Sequence, residues 1–121
     1  MTDALHLTLQ HTDGPYAVAT VTGDVDLHTA PTLRSGALDL IQQGHRHLIL
    51  DMRGVQFCDS AGLSALIRIW HGAKDAGGSL ALAAVSGRLM RMLNLTGMDS
   101  LLPVHPTADD ALSGSRPTAD A

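Results

Sequence analysis

The stretch 47–63, HLILDMRGVQFCDSAGL, decides the fold. Its first part, His47 to Met52, is a short apolar run that suits a buried strand. Gly54 to Cys58 reads as a short loop, and Asp59-Ser60-Ala61-Gly62-Leu63 opens a helix expected to run from about Ser60 to Ala76. Leu63, Leu66, Ile67 and Trp70 form the inner stripe of that helix, with Ser64, Arg68, His71 and Asp75 opposite.

Upstream, Leu5, Leu7 and Leu9 alternate with His6, Thr8 and Gln10, and a second run carries Val18 and Val21. Period-two alternation on either side of Asp13-Gly14-Pro15 predicts an antiparallel hairpin, ending at Gly23-Asp24-Val25-Asp26. A helix follows from Thr29-Ala30-Pro31, with Thr29 as its N-cap, Leu33, Ala37, Leu40 and Ile41 on one face, and Gly44 as its stop. Gly36 in its middle weakens the pattern.

Downstream, Gly77-Gly78 ends the second helix and Ser79–Val85 reads as another buried strand. Ser86 caps a third helix that turns Leu89, Met90 and Leu93 inward and stops at Gly97. Leu101–Val104 is a short final strand, and Thr107 caps a last helix through Leu112. Residues 1–112 thus form one domain, and 113–121 are expected to be a disordered tail. The order β-β-α-β-α-β-α-β-α predicts an α/β fold with a mixed sheet of four to five strands. Right-handed crossovers put its helices mainly on one face.

Composition narrows the function. Tyr16, Phe57 and Trp70 are the only aromatic residues, too few for base-stacking platforms, and the formal net charge is -4. No basic footprint points to nucleic acid or to an anionic membrane, and no apolar run approaches the roughly 20 residues of a membrane span. MTDALHLTLQHTDG lacks the basic and apolar regions of a secretory signal, so a cytoplasmic location is expected. Cys58, the single cysteine, allows no internal disulfide; a buried small residue is its default role, exposure and a lowered pKa being the alternative that would make it a redox sensor.

Two readings fit the helix start. Asp59 and Ser60 are common residues at such positions and need mean nothing more. Alternatively, Asp59 caps the free amides while Ser60, in the first turn, presents its hydroxyl to another protein's active site. A phosphate there would suit the helix N-terminus yet add roughly -1.5 to -2 charges to the surface. The switch would act at an interface, without refolding the domain.

The stretch Leu48 to Leu63 resembles the signature of the STAS domain family, in particular its anti-sigma factor antagonists. Gly23-Asp24-Val25-Asp26 with Thr29-Ala30, Gly77-Gly78, Ser86 and Leu95-Thr96-Gly97-Met98 are similar to further parts of the family's layout, so the likeness covers about residues 5–112. The resemblance implies a phosphoprotein of transcription regulation, acting by partner switching in stress or sporulation signalling. It places the phosphoacceptor at Ser60, with Ala61 where many members carry a second hydroxyl. Asp24 and Asp26 match the acidic segment of the partner interface, which the resemblance extends to Asp59, Ser60, Ala61, Gly62 and Leu63. The implied partner is an anti-sigma factor that is also a serine kinase and holds the ATP and Mg²⁺ itself, so this chain needs no cofactor or metal. The unphosphorylated form binds it and frees a sigma factor, phosphorylation ends the binding, and a serine phosphatase restores it. The chain itself is then not an enzyme.

Other chemistries are less well supported. Asp51 at a strand end suits a phosphoaspartate receiver, but Leu5–Gln10 offers no acidic residues to hold Mg²⁺, and a polar strand end is the plainer role. Asp59-Ser60-Ala61-Gly62 lacks the preceding glycine of a hydrolase elbow. The histidines His6, His11, His28, His45, His47, His71 and His105 are scattered and read as solvated residues rather than metal ligands. Arg88 and Arg91, one turn apart, read as a solvated face rather than as part of a docking face. A substantive alternative is a stand-alone module of the same family that binds a small ligand or acts as a scaffold in a signalling complex.

Overall fold

In the computed structural model, which describes residues 5–115, the run His47–Met52 lies at the centre of a five-stranded sheet. The elements are β1 (Leu5–Asp13), β2 (Tyr16–Val25), α1 (Ala30–Gln42), β3 (His47–Cys58), α2 (Ser60–Asp75), β4 (Ser79–Ala83), α3 (Gly87–Thr96), a 3-10 turn (Met98–Ser100), β5 (Val104–His105) and α4 (Ala108–Ser115). Strand order follows chain order, β1-β2-β3-β4-β5, with β1 antiparallel to β2 and the other pairs parallel. This is the mixed α/β architecture that the element order predicts.

The two faces of the sheet are sorted by the pleat. Ala17, Ala19 and Val21 of β2, Leu48 and Leu50 of β3, and Leu80 and Leu82 of β4 pack on the side of α1, α2 and α3. Val18, Ile49, Ala81 and Ala83 point the other way, against Ala108, Ala111 and Leu112 of α4. Among the described residues, three helices thus cover one face and only the short α4 covers the other. Residues 48–52 are all buried because β3 is covered on both sides, which is why that run shows no alternation.

Gly36 has a tertiary reason. A Cβ there would come within 2.8 Å of Leu7 Cδ2, so the glycine lets α1 lie against β1. Gly44 and Gly97, both at positive φ, follow the ends of α1 and α3 as their sequence positions suggest.

Several elements differ from the sequence reading. β3 does not stop at Met52: the segment read as a loop continues as strand to Cys58, because Thr22, Gly23 and Val25 of β2 run beside Gly54, Val55 and Cys58. Asp51 is consequently not a strand end but a buried mid-strand residue, its Oδ1 accepting the Arg53 amide at 3.1 Å with the Arg53 guanidinium 3.6 Å from Oδ2. The inner stripe of α2 is Gly62, Leu63, Ala65, Leu66, Ile69 and Ala73, while Ile67 and Trp70 are only half-buried. β4 ends at Ala83, where Ala84 turns to a φ of +54°. The last strand is only Val104–His105, because the amides of Leu101 and Leu102 turn back to the Met98 carbonyl of the preceding 3-10 turn and Pro103 has no amide to pair. α4 continues to Ser115, three residues into the expected tail; residues 116–121 of that tail lie outside the described residues.

Candidate functional site

Parallel strands deliver their C-terminal ends to one edge of the sheet, and there the β2–α1 and β3–α2 connections meet. Val25 is paired with Cys58, and the next amide, that of Asp59, donates to the Val25 carbonyl at 3.1 Å. Asp24, Asp26 and Asp59 are thereby brought to the same edge as Ser60.

Asp59 caps α2 as its sequence position predicts. Its backbone is extended (φ -101°, ψ -168°), and its Oδ1 accepts the amides of Ala61 at 2.9 Å and Gly62 at 3.3 Å. Its carbonyl takes the first helical bond, from the Leu63 amide at 3.1 Å. Two of the orphan amides of the helix start are therefore satisfied by the cap, an arrangement worth about 1 kcal/mol. Ser60, first residue of the helix, is exposed, and among the described residues its hydroxyl has no hydrogen-bond partner. Ala61 is half-buried, Gly62 and Leu63 buried.

Gly62, which the resemblance counts among the partner-interface residues, is buried. Its observed role is internal: a Cβ would stand 2.5 Å from Cys58 Sγ and 2.7 Å from Val25 Cγ1. The glycine lets α2 start hard against the ends of β2 and β3, and this close seat fixes where Ser60 points. Cys58 beneath it is 4% exposed, and burial, reinforced by the charge of Asp59, pushes its thiol up to about 11. Such a thiol is protonated at neutral pH and behaves as a small apolar residue.

The β2–α1 connection is built by Asp26 and Thr29. Asp26 Oδ1 accepts the amides of His28 at 2.9 Å and Thr29 at 3.0 Å, and its carbonyl accepts the Ala30 amide at 2.8 Å. The backbone amide of Thr29 is the main cause that holds the Asp26 carboxyl below its ordinary value, opposed by partial desolvation and aided by the His28 amide. Thr29 itself does not cap α1 with its side chain, contrary to the expectation. The Asp26 carboxylate takes the amides ahead of the helix, and the Thr29 hydroxyl turns back, donating to the Asp24 carbonyl at 2.8 Å and accepting the Asp26 amide at 2.9 Å. Asp24 is exposed at the end of β2, and Leu27 in the loop that follows is 73% exposed.

Sequence reasoning missed the Thr29 latch and the exposed Leu27. The spacing Asp26-Leu27-His28-Thr29, an Asx residue followed by a hydroxyl residue at i+3, was the available signal. It also missed that Arg88, read as a solvated cation, lies over the Phe57 ring at 5.4 Å. Among the histidines, His47 is not merely solvated: it stacks on Tyr16 at 4.7 Å and meets Ser79 Oγ at 2.9 Å. Its pKa is lowered by burial, then by the Arg46 and Lys74 charges. Among the described residues no group of His, Cys, Asp or Glu is arranged to hold a metal, and no helix is long and apolar enough to cross a membrane.

Comparison with known proteins gives this edge a context. The STAS domain matches residues 6–111. The anti-sigma-B factor antagonist of Bacillus subtilis is 32% identical over 89 residues, covering 74% of this chain and 81% of that protein. The anti-sigma F factor antagonist of Paenibacillus polymyxa is 26% identical over 110 residues, 90% of this chain and 93% of its own. Among solved structures, an anti-sigma factor antagonist from Mycobacterium paratuberculosis superposes with a TM-score of 0.83 at 29% identity, covering 94% of this chain and 96% of that one. With the match running from β1 into α4 and the architecture shared throughout, the chain belongs to the STAS domain family.

Proposed function

We propose that this chain is an anti-sigma factor antagonist that works by partner switching, with Ser60 as its phosphoacceptor. The unphosphorylated form binds an anti-sigma factor carrying serine kinase activity and so frees a sigma factor; the phosphate on Ser60 ends that binding, and a serine phosphatase restores it. The relatives named above are anti-sigma factor antagonists by name, and they align with most of the chain.

The observation that carries the reading is the presentation of Ser60. Its hydroxyl is exposed and unengaged at the start of a helix whose cap, Asp59, is tied to Val25 at the end of β2. A kinase can reach it without unfolding anything, and the added charge would stand at the centre of a surface formed by both loops. Asp24, Ala61 and Leu27 are the neighbouring surface a partner would touch, while Asp26, Gly62 and Leu63 act by shaping it. ATP and Mg²⁺ belong to the partner, and the reading places both proteins in the cytoplasm.

The test is to incubate the protein with its candidate anti-sigma kinase, ATP and Mg²⁺, and to read intact mass for wild type and Ser60→Ala, with kinase binding measured for each form. One phosphate on the wild type alone, followed by weaker binding, is the expected result. Modification at another residue would displace the site. Absence of both binding and modification across the cell's anti-sigma kinases would overturn the assignment in favour of a ligand-binding or scaffold module.

A further inference from the structure

The groove that runs from Ala61 between α1 and α2 encloses about 290 Å³ and is lined by Leu27, Ala30, Pro31, Arg34, Ala65 and Arg68, with Ala61 and Ser64 completing its α2 wall. Its floor is apolar, and Leu27 at its mouth is 73% exposed, a large cost for a residue with no covering element. The two titratable groups that line it, Arg34 and Arg68, are both cationic, and among the described residues neither has a carboxylate within salt-bridge distance. In a chain of net charge -4, these unpaired arginines flank an apolar trough that begins one residue from Ser60.

We infer that this groove docks an acidic, apolar-centred segment of the anti-sigma factor, an apolar side chain seated against Leu27, Ala30 and Ala65 with carboxylates paired to Arg34 and Arg68. The inference rests on the antagonist reading and deepens it by giving the partner a chemistry. Arginine is suited to such pairing because its planar fork bonds a carboxylate bidentately. The loop edge beside the groove has the opposite sign, with Asp24, Asp26 and Asp59, so the whole face is bipolar and fixes the partner's orientation. A phosphate on Ser60 would add negative charge at the head of the groove and repel the same acidic segment, so the switch and the docking site reinforce each other.

The experiment measures binding of the anti-sigma kinase to wild type, to Arg34→Glu/Arg68→Glu, to Arg34→Lys/Arg68→Lys and to Leu27→Ala, over a salt series. Charge reversal should weaken binding about tenfold or more at low salt, with the deficit shrinking as salt screens the contact. The lysine pair should retain most of the affinity, and Leu27→Ala should weaken binding without salt dependence. Arg68 and Leu27 are exposed, and circular dichroism with a thermal melt checks that each variant is folded. Equal affinity of the wild type and the folded reversal variant at every salt concentration would overturn the docking site while leaving the antagonist reading intact. Loss of all kinase binding by the wild type would overturn the reading itself. Self-association of the chain alone that is abolished by the reversal would assign the groove to a second copy instead.

Discussion

The Asp59 amide donates to the Val25 carbonyl at 3.1 Å, and this one bond couples the cap of α2 to the end of β2. It lies one residue after the last β2–β3 pair, Val25 with Cys58, and so continues the sheet into the two loops. Asp59 therefore faces two ways: its amide is bonded to the sheet and its carboxylate to the helix. Ser60 inherits its position from both.

Replacing Asp59 by alanine removes the acceptor of the Ala61 and Gly62 amides but leaves the bond to Val25. The expected loss is about 1 kcal/mol, which for a domain of this size lowers the thermal midpoint by about 3–6 °C. Asp59→Asn keeps an acceptor and should recover most of that loss. A melt followed by circular dichroism decides, and an unchanged midpoint for Asp59→Ala would contradict the cap.

Gly62→Ala tests the close seat of α2. The added methyl meets Cys58 Sγ and Val25 Cγ1 at less than contact distance, which should cost about 1–3 kcal/mol in chemical denaturation despite the better helix propensity of alanine. Cys58→Ala alone is destabilising because it leaves a void, yet in the Gly62→Ala background it should relieve part of the clash. A non-additive double-mutant cycle is the expected sign of that contact; strict additivity would show that α2 shifts instead.

The Cys58 thiol gives a pH dependence with a definite sign. Its folded pKa of about 11 lies above the ordinary value of 9.0, so the folded state holds the proton more tightly. The resulting stabilisation is complete below the ordinary value and is lost as pH rises through about 11. At neutral pH a thiol-specific reagent should label the native protein much more slowly than the urea-unfolded chain. Comparable rates would mean that the helix start opens readily.

What the sequence revealed here and what it hid have physical causes. The hairpin, the three longer helices and the capped start of α2 follow from local chemistry, from Asp13-Gly14-Pro15 to Asp59 and Ser86, whose side chain accepts the Leu89 amide at 3.1 Å. The extension of β3 to Cys58 did not, because Arg53, Gly54 and Gln56 look like loop until β2 is placed beside them. The α2 stripe was misjudged for a related reason: weight went to Ile67 and Trp70, whereas the buried line passes through the small residues Gly62, Ala65 and Ala73, where neighbours come close. At the site, Ser60 and Asp59 were legible as residue types in a pattern. The roles of Gly62 and Thr29 depend on what stands opposite them in space, which spacing alone does not contain.

Thr29 offers the sharpest test of the β2–α1 loop, because Thr29→Val keeps its shape and removes only the hydroxyl. That residue is 7% exposed, and its oxygen both donates to the Asp24 carbonyl and accepts the Asp26 amide. Valine leaves two backbone groups without their partner, at a cost of about 1–3 kcal/mol, whereas Thr29→Ser keeps both bonds and should cost less. The carboxylate of Asp26 keeps the amides of His28 and Thr29 in either variant, so its depressed pKa should survive in part. Its stabilising contribution is present above the ordinary carboxylate value and is lost as pH falls through the lower, folded one. An NMR titration of the Asp26 carboxyl separates the two effects: Thr29→Val should move its midpoint upward, and Asp26→Asn should remove the acid-dependent part of the stability. If Thr29→Val were as stable as wild type, the loop would be held by the Asp26 turn alone, and the hydroxyl latch would have no energetic role.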